Sequence, residues 1–340
     1  MSEINTENTE INNSGSFLQV KDLVVEYFTD DNVVHAVNGV SFNIEQGKTL
    51  GLVGETGAGK TTIAKSILRI LPDVGARITQ GTVTLAGQEL LSLPEHEMRE
   101  IRGNKISMIF QDPMTALNPV ERVGDQIAEV IQLHNDISKA ECEKRAKEML
   151  ALVGITEDRY MEYPHQFSGG MKQRIVIAIA LACNPQVLLA DEPTTALDVT
   201  IQAQVLDLIS DLRKQFNTSM LLITHDMGVV ATVCDDVAVI YAGGIVEYGT
   251  KEQIFHHPTH PYTIGLFGAI PSMSTDEEWL HPIDGLPPDP SDLPEGCAFH
   301  PRCKYATPEC SKGPIGIYKT PDGHECHCIN MDAVLKEEGN

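Results

Sequence analysis

The chain has 340 residues, of which 42% are apolar, and its 25 basic and 48 acidic residues give a formal net charge of −23. This length allows one large domain with an appendage, or two domains. No apolar run reaches the roughly 18 residues that a membrane-spanning helix needs, and no Lys/Arg cluster offers the basic stripe of a nucleic-acid binder. Composition therefore argues against a membrane span and against direct binding of DNA or RNA.

The N-terminal part of the chain predicts a leader followed by strands. Residues 1–16 are rich in Asn, Glu, Thr and Ser and lack the positive start and apolar core of a signal peptide, so we expect a disordered leader on a cytoplasmic protein. Between Phe17 and Ile44 apolar residues alternate as in strands with one covered face, and Tyr27 ends the second of these strands.

A glycine-rich loop, GETGAGKT at residues 54–61, follows an apolar run at residues 49–53 and precedes an amphipathic segment. This strand, loop and helix order is what the G-x-x-x-x-G-K-[ST] pattern requires. Glycines let the backbone N–H groups turn inward, and the helix N-terminus adds a positive dipole end. Lys60 supplies a charge to the β- and γ-phosphates, and the Thr61 hydroxyl can ligate Mg²⁺. The sequence therefore predicts a nucleotide phosphate site, with an ordinary glycine turn as the alternative.

Polar residues end three further apolar runs. Asp191 ends the run at residues 187–191, where it can hold Mg²⁺ through water, and Glu192 can then orient or deprotonate an attacking water. Gln111 follows the run at residues 106–110, and its amide can contact the metal shell and the water together. His225 can donate to a γ-phosphate. The alternatives are the start of a loop for the acids and an ordinary surface or core position for Gln111 and His225.

The middle of the chain predicts helices. Apolar spacing between about Asp125 and Val153 indicates a helical insertion. Residues 168–170, Ser-Gly-Gly, begin a long apolar helix and offer backbone amides and a hydroxyl to an anion. The loop at residues 54–61 already accounts for the nucleotide that this chain binds. The second anion-binding helix N-terminus, at residues 168–170, must therefore have a different function. Residues 236–241 and 244–249 predict a hairpin. The alternation of strands and helices predicts an α/β core with a largely parallel sheet.

In order and spacing, these motifs resemble the ATP-binding subunits of ABC transporters over about residues 17–267. The motifs are residues 54–61, Gln111, residues 167–171, residues 188–193, residues 196–198 and His225. The resemblance implies a P-loop NTPase core with a mostly parallel sheet, an antiparallel β region and a helical subdomain at about residues 112–175. It also implies that two such subunits pair head to tail, with each ATP between the phosphate loop of one subunit and the signature loop of the other.

The same resemblance implies the site residues. Those expected to bind ATP are Tyr27, which should stack on adenine, and Gly54, Glu55, Thr56, Gly57, Ala58, Gly59, Lys60, Thr61 and Thr62. The expected Mg²⁺ ligands are Thr61, Gln111 and Asp191, and the expected catalytic residues are Glu192, His225 and Gln111. The partner's ATP should meet Ser168, Gly169, Gly170 and Met171, with Asp198 communicating across the dimer. Met171 stands where Gln is usual, but Ser168 and the glycine amides remain, so we expect contact with nucleotide to persist.

Past about Pro271 prolines interrupt any periodicity and five of the eight cysteines crowd together, at Cys297, Cys303, Cys310, Cys326 and Cys328. In a cytosolic chain such crowding favours metal ligation over disulfides. Four thiolates suit zinc or an iron–sulfur cluster, and their spacing alone does not decide between the two. Free thiols are the remaining alternative. We expect residues 271–340 to form a small separate Cys-rich module, and residues 17–270 the ATPase domain.

Residues 258–263, residues 296–303 and the Phe-Ser-Gly-Gly-Met signature resemble the oligopeptide/dipeptide branch of these importers, which extends the resemblance to nearly the whole chain. It implies a [4Fe–4S] cluster on Cys297, Cys303, Cys310 and Cys328, with Cys326 as the alternative fourth ligand and zinc as the alternative metal. It implies an ATPase that uses ATP and Mg²⁺ to power uptake of di- or oligopeptides or a related small solute.

The implied location is the cytoplasmic face of the cell membrane, as a peripheral subunit. The implied partners are a second ABC ATPase subunit (a heterodimer, or alternatively a homodimer), two transmembrane permease subunits and an extracytoplasmic solute-binding protein. Residues 112–119, next to Gln111, are the predicted docking surface for the permease. The alternative is a soluble ABC ATPase acting on nucleic acid or ribosomes. It predicts a basic face, tandem ATPase halves or a long coiled coil, and the sequence has none of these.

Overall fold

A computed structural model describes residues 16–195, 197–269, 282–331 and 334. Residues 1–15 of the predicted leader, Ala196 and the predicted boundary near Pro271 lie outside these ranges. The strands are β1 (Ser16–Phe28), β2 (Val33–Glu45), β3 (Thr49–Val53), β4 (Ala76–Leu85), β5 (Gln88–Glu89), β6 (Ile106–Ile109), β7 (Val187–Asp191), β8 (Ser219–Thr224), β9 (Asp236–Tyr241), β10 (Gly244–Thr250), β11 (Tyr318–Lys319) and β12 (Glu325–Cys326).

The α-helices follow the apolar spacing of the sequence. They are α1 (Lys60–Ile67), α2 (Glu95–Ile101), α3 (Pro113–Ala116), α4 (Val123–His134), α5 (Lys139–Leu152), α6 (Gly169–Leu181), α7 (Val199–Phe216), α8 (Met227–Val233), α9 (Lys251–His256) and α10 (Pro261–Gly268). Across the described ranges, every helix is too short or too polar to cross a lipid bilayer.

The chain forms two compact units. The first contains the described residues of Met1–Asn43, Leu50–Gln88 and Thr224–Asn340, and the second contains Ile44–Thr49 and the described residues of Glu89–Ile223.

The first unit combines antiparallel and parallel pairing. β1 pairs antiparallel with β4, Leu18 facing Leu85, and its alternate side chains are buried as the sequence predicts. β3 is buried along its whole length and runs parallel to β9. β9 and β10 form the predicted hairpin, and β10 continues antiparallel to β12, which pairs with β11. The pairing among these strands is therefore mixed. A Cβ on Gly51 would lie 2.8 Å from the Cys234 sulfur, so the segment after α8 packs closely on β3.

The second unit joins parallel strands to helices. β6, β7 and β8 pair in parallel, with Ile106 beside Val187 and Val187 beside Ser219, and β7 and β8 are buried along their whole length as predicted. α4 and α5 form the predicted helical segment. A Cβ on Gly124 would lie 2.1 Å from the ring of Tyr160, whose hydroxyl donates to Asp125 at 2.9 Å. Glycine is therefore needed at position 124 for the Tyr160 ring to cover the start of α4.

Candidate functional site

The predicted phosphate loop lies between β3 and α1 in the first unit. Gly57 and Gly59 have φ angles of 86° and 96°, in the left-handed region that side chains disfavour. A Cβ on Gly59 would lie 2.3 Å from the Ala36 carbonyl oxygen, and one on Gly54 would lie 2.1 Å from that of Ile240. These close approaches permit only glycine, because no backbone atom can move aside cheaply. The loop can therefore offer its amides at the start of α1 to an anion.

Lys60 and Tyr27 complete the loop. The Lys60 side chain is buried, with only 6% of the residue exposed, and its ammonium donates to the carbonyl oxygens of Gly54 at 2.7 Å and Glu55 at 3.0 Å. These bonds close the loop around a positive charge. The Tyr27 hydroxyl lies 3.3 Å from the Thr62 hydroxyl, so the end of β1 brings this ring to the first turn of α1. The sequence predicts both residues at a nucleotide site; Lys60 contacts the loop itself and Tyr27 contacts the first turn of α1.

His225 follows β8 and is exposed. The next residue, Asp226, caps α8 by accepting hydrogen bonds from the amides of Gly228 at 2.8 Å and Val229 at 3.2 Å. Its own amide donates to the Thr224 hydroxyl at 3.0 Å. These contacts fix the backbone of Asp226, directly after His225, at the start of α8, a common use of Asp at helix starts.

In the second unit, Gln111 and Glu192 are in contact. The side-chain amide of Gln111 donates from Nε2 to Glu192 Oε2 at 3.0 Å, and the Thr195 hydroxyl donates to the same oxygen at 2.8 Å. The Glu192 amide donates to the Ile223 carbonyl at 2.9 Å. Glu192 has a φ of 46°, in the left-handed region that side chains larger than glycine disfavour. Asp191, just before it, is 2% exposed. The arrangement leaves an oriented carboxylate beside a buried one.

The second predicted anion site is also in this unit. The Ser168 hydroxyl caps α6 by accepting from the Met171 amide at 3.4 Å, and Asp198 caps α7 by accepting from the Ile201 amide at 3.0 Å. A Cβ on Gly170 would lie 2.7 Å from Ile201, whereas one on Gly169 would meet nothing within 4 Å. The starts of α6 and α7 therefore pack together through Gly170. The Arg159 guanidinium contacts the Met171 sulfur at 3.4 Å, so this residue is held within its own unit.

Sequence reasoning missed two polar clusters of the first unit. In the first, Arg302 of the tail pairs with Glu55 of the phosphate loop. In the second, the fully buried Glu247 carboxylate accepts from the Thr259 amide at 2.6 Å and the His260 amide at 3.0 Å, and lies 2.8 Å from His324 Nε2. Burial alone would raise the pKa of Glu247, but the contacts with His324 and Thr259 hold it below its usual value. Neither cluster has a local sequence signal, since each joins segments far apart in the chain.

The comparisons with known proteins bear directly on these motifs. The family described as "ABC transporter" matches residues 37–195, and the family described as "Oligopeptide/dipeptide transporter, C-terminal region" matches residues 246–310. The oligopeptide transport ATP-binding protein OppD of Haemophilus influenzae is 50% identical, over 87% of this chain and 92% of that protein. The dipeptide transport ATP-binding protein DppD of Bacillus subtilis is 49% identical, over 93% of this chain and 95% of that protein.

Solved structures agree on the fold. A dimeric ATP-binding cassette, in a post-hydrolysis state with ADP and phosphate bound, superposes with a TM-score of 0.62 at 27% identity. The match covers 69% of this chain and 98% of the solved one. The fold is therefore that of an ABC ATPase, a P-loop NTPase with mixed sheets and helices. The resemblance to the peptide branch of ABC transporters is confirmed.

The expectation of a [4Fe–4S] cluster on Cys297, Cys303, Cys310 and Cys328, or with Cys326, is wrong, as is the zinc alternative. Over the described ranges, no group of three or more His, Cys, Asp or Glu side chains is arranged to hold a metal ion. The matched relatives are named as transport ATP-binding proteins and not as iron–sulfur proteins.

Burial gives the physical reason for this correction. It raises the pKa of Cys303 to about 11 and that of Cys328 to about 12, so this part of the fold favours the neutral thiol over the charged thiolate that a metal ligand supplies. Cys310 accepts hydrogen bonds at its sulfur from the Thr307 amide and the Asn330 side chain, each at 3.4 Å. The crowded cysteines are small residues that pack the tail.

Proposed function

Because this chain belongs to the family of ATP-binding subunits of oligopeptide and dipeptide ABC transporters, we propose that it powers uptake of di- or oligopeptides, or a related small solute, by hydrolysing ATP. The observation that carries the hydrolytic role is the Glu192 carboxylate, held by Gln111 and Thr195 beside the buried Asp191. A carboxylate with a fixed orientation can accept the proton of an attacking water.

The phosphate loop fits a nucleotide on structural grounds. Gly54 and Gly59 approach the carbonyl oxygens of Ile240 and Ala36 so closely that only glycine fits, and Lys60 of the same loop is buried. We assign ATP binding to residues 54–62, with Lys60 toward the β- and γ-phosphates, and adenine stacking to Tyr27, which contacts Thr62. His225 is assigned a hydrogen bond to the γ-phosphate.

Thr61, Gln111 and Asp191 would hold Mg²⁺, which supplies charge neutralisation on the phosphates when bound. Oxygen ligands of this kind suit that ion. The support from this chain is the burial of Asp191 at the end of β7 and the place of Thr61 in the first turn of α1.

A second ATPase subunit is proposed to share each nucleotide. The dimeric solved relative supports this pairing. The residues assigned to the partner's ATP are Ser168, Gly169, Gly170 and Met171, which begin α6 with a helix N-terminus suited to an anion. Asp198 caps the adjacent α7 and is assigned to communication across the dimer. The paired ATPase is proposed to be a related chain in a heterodimer, with a homodimer as the alternative.

Two transmembrane permease subunits and an extracytoplasmic solute-binding protein are the further proposed partners, which places this chain at the cytoplasmic face of the membrane as a peripheral subunit. Residues 112–119 are proposed to dock against the permease, because they directly follow Gln111, and Phe110 and Val120 on either side are exposed. Charge substitutions at exposed positions there should impair assembly or transport. If both are unchanged, this docking site is wrong.

We propose that the chain divides into an ATPase part and a tail. The ATPase part is residues 17–270, with a helical subdomain at about residues 112–175, and the Pro- and Cys-rich tail is residues 271–340. The change in composition supports this division. The alternative of an ATPase acting on nucleic acid or ribosomes has no support from the relatives, which are named as peptide transport proteins.

Glu192→Gln tests the proposal in the assembled transporter, purified by means of a tag on this chain and reconstituted in vesicles. The variant keeps the shape of the side chain and removes its basicity, so ATP hydrolysis and peptide uptake should both be lost. Glu129→Gln is the matched control, because Glu129 is an exposed residue of α4 in the same unit. Uptake of a labelled dipeptide that continues at the wild-type rate in Glu192→Gln would refute the proposal.

A further inference from the structure

A residue of the Cys-rich tail reaches the phosphate loop. The Arg302 guanidinium donates from Nη1 to Glu55 Oε2 at 2.9 Å and from Nη2 to Glu55 Oε1 at 3.2 Å. Only 6% of the Arg302 side chain and 27% of the Glu55 side chain are exposed. A paired arginine–carboxylate contact of this kind fixes direction as well as distance.

Arg302 is itself held firmly by the first unit. Its Nε donates to the Asp284 carbonyl at 2.9 Å, and Nη2 also lies 3.3 Å from the Ile283 carbonyl. Nη1 lies 3.3 Å from the Tyr241 hydroxyl, and the guanidinium lies over the rings of Tyr241 and Phe299 at 5.8 Å and 6.0 Å. The Arg302 side chain is therefore already ordered, and its guanidinium brings a positive charge in a fixed position to the phosphate loop.

Glu55 is the point at which the phosphate loop is anchored. Its amide donates to the Tyr262 hydroxyl at 3.0 Å, its carbonyl accepts from the Lys60 ammonium at 3.0 Å, and its carboxylate pairs with Arg302. The glycines of the loop have no side chain with which to contact another segment, whereas the Glu55 side chain does. The Lys60 ammonium also donates to the Gly54 carbonyl at 2.7 Å, so two of its acceptors lie at Glu55 and directly before it, and the anchoring of Glu55 bears on its position.

The ion pair between Arg302 and Glu55 also affects the electrostatics of the phosphate loop. Glu55 places a carboxylate in a loop assigned to a triphosphate, and like charges at short range repel strongly where water is scarce. Arg302 offsets that charge. Without the guanidinium, the carboxylate would both lose its anchor and oppose the phosphates.

We propose that Arg302 is a positioning residue for ATP binding: through Glu55 it holds the phosphate loop and neutralises the loop's own carboxylate, so that the tail sets the affinity for nucleotide. The proposal rests on the assignment of residues 54–62 to ATP. Arg302 acts through Glu55 and is given no contact with nucleotide.

The first test needs no nucleotide. Hydrogen exchange is measured on the peptide covering residues 54–62 in wild type, Arg302→Gln and Lys319→Gln. Lys319→Gln removes another ion pair of the tail, that with Glu325, and is the matched control. The proposal predicts exchange faster by about fivefold or more in Arg302→Gln alone, as for a typical coupling between sites. Equal rates in wild type and Arg302→Gln would overturn it.

The second test measures Kd and KM for MgATP, together with kcat, in the assembled transporter. Arg302→Gln should raise Kd and KM by about fivefold or more and leave kcat within about twofold. Adding Glu55→Gln to Arg302→Gln should restore part of the affinity, because it removes the unpaired carboxylate. A purely structural role of Arg302 predicts no such rescue, so a double variant as weak as Arg302→Gln would overturn the proposal.

Two further measurements distinguish a misfolded variant, a wrong anchor and a wrong assignment of the loop to ATP. Glu55→Gln alone leaves the contacts of Arg302 with Asp284 and Tyr241, so it remains informative if Arg302→Gln folds poorly. Exchange in residues 54–62 unchanged from wild type in Glu55→Gln would then count against the anchor. Failure of wild type to bind MgATP would refute the assignment of the loop to ATP, while the exchange experiment would still decide whether Arg302 holds the loop.

Discussion

Gln111 and Glu192 share a hydrogen bond of 3.0 Å, from the Gln111 amide to Glu192 Oε2, although they belong to different strand ends of the second unit. The parallel pairing of β6 with β7 produces this contact, because the ends of adjacent parallel strands meet at one edge of a sheet. Thr195 donates to the same oxygen at 2.8 Å. The proposed general base is thus held from two sides.

Gln111→Leu should lower kcat for ATP hydrolysis by about tenfold or more, because the carboxylate loses a contact that sets its direction. Thr195→Val removes the other contact with the same oxygen and should also lower kcat. Steady-state hydrolysis by the assembled transporter measures both effects. Wild-type kcat in the two variants and in the double variant would show that these contacts do not serve hydrolysis.

Gly59→Ala should abolish MgATP binding, because the new Cβ would lie 2.3 Å from the Ala36 carbonyl oxygen and the φ of 96° is strained for alanine. The strain alone costs about 1–3 kcal/mol. Gly57→Ala is the matched control, since its φ is 86° but its Cβ would meet nothing within 4 Å. Calorimetric titration with MgATP and thermal unfolding separate the two variants. Equal losses of MgATP affinity in both variants would mean that the close approach of residue 59 to Ala36 is not the reason why glycine is required there.

Acid should destabilise the first unit through His260. Burial lowers the pKa of this histidine to about 4, with Glu247 raising it and His327 lowering it further. The ring's Nδ1 accepts a hydrogen bond from the Tyr262 amide at 3.1 Å at the start of α10, and protonation removes that acceptor. The unfolded chain binds this proton near pH 6.5, well above the folded value, so stability is complete above that pH and is lost as pH falls toward about 4.

The full loss from His260 is about 3 kcal/mol. The lowered pKa of Glu247 acts in the same direction, with stability lost as pH falls through its folded value. Thermal unfolding from pH 8 to pH 5 should show a falling midpoint in wild type. His260→Asn, which keeps a side-chain acceptor without a titrating proton, should show a shallower slope. Parallel slopes would exclude His260 as the origin.

The sequence could predict the phosphate loop, Gln111 and Glu192 as candidates because their signals are local: a glycine pattern between a strand and a helix, and polar residues directly after apolar runs. The hydrogen bond between Gln111 and Glu192 could not be predicted, since it depends on the parallel pairing of β6 with β7. The pairing of Arg302 with Glu55 could not, since 247 residues separate them and only tertiary packing brings them together. The spacing of the cysteines predicts a metal site wrongly, because spacing shows how many thiols are near in sequence but not how the folded chain arranges them. In the described ranges, these thiols are not arranged with other side chains to hold a metal ion, and that arrangement is a property of the folded chain.

The most direct test of the central claim, that this chain binds ATP and cleaves it with Glu192, is the identity of the nucleotide retained after incubation with MgATP. Wild type and Glu192→Gln in the assembled transporter are freed of excess nucleotide, and the bound ATP and ADP are quantified. We expect ADP on wild type and uncleaved ATP on Glu192→Gln, with similar total occupancy. ADP formed at the same rate on both proteins, or no nucleotide on either, would contradict the account.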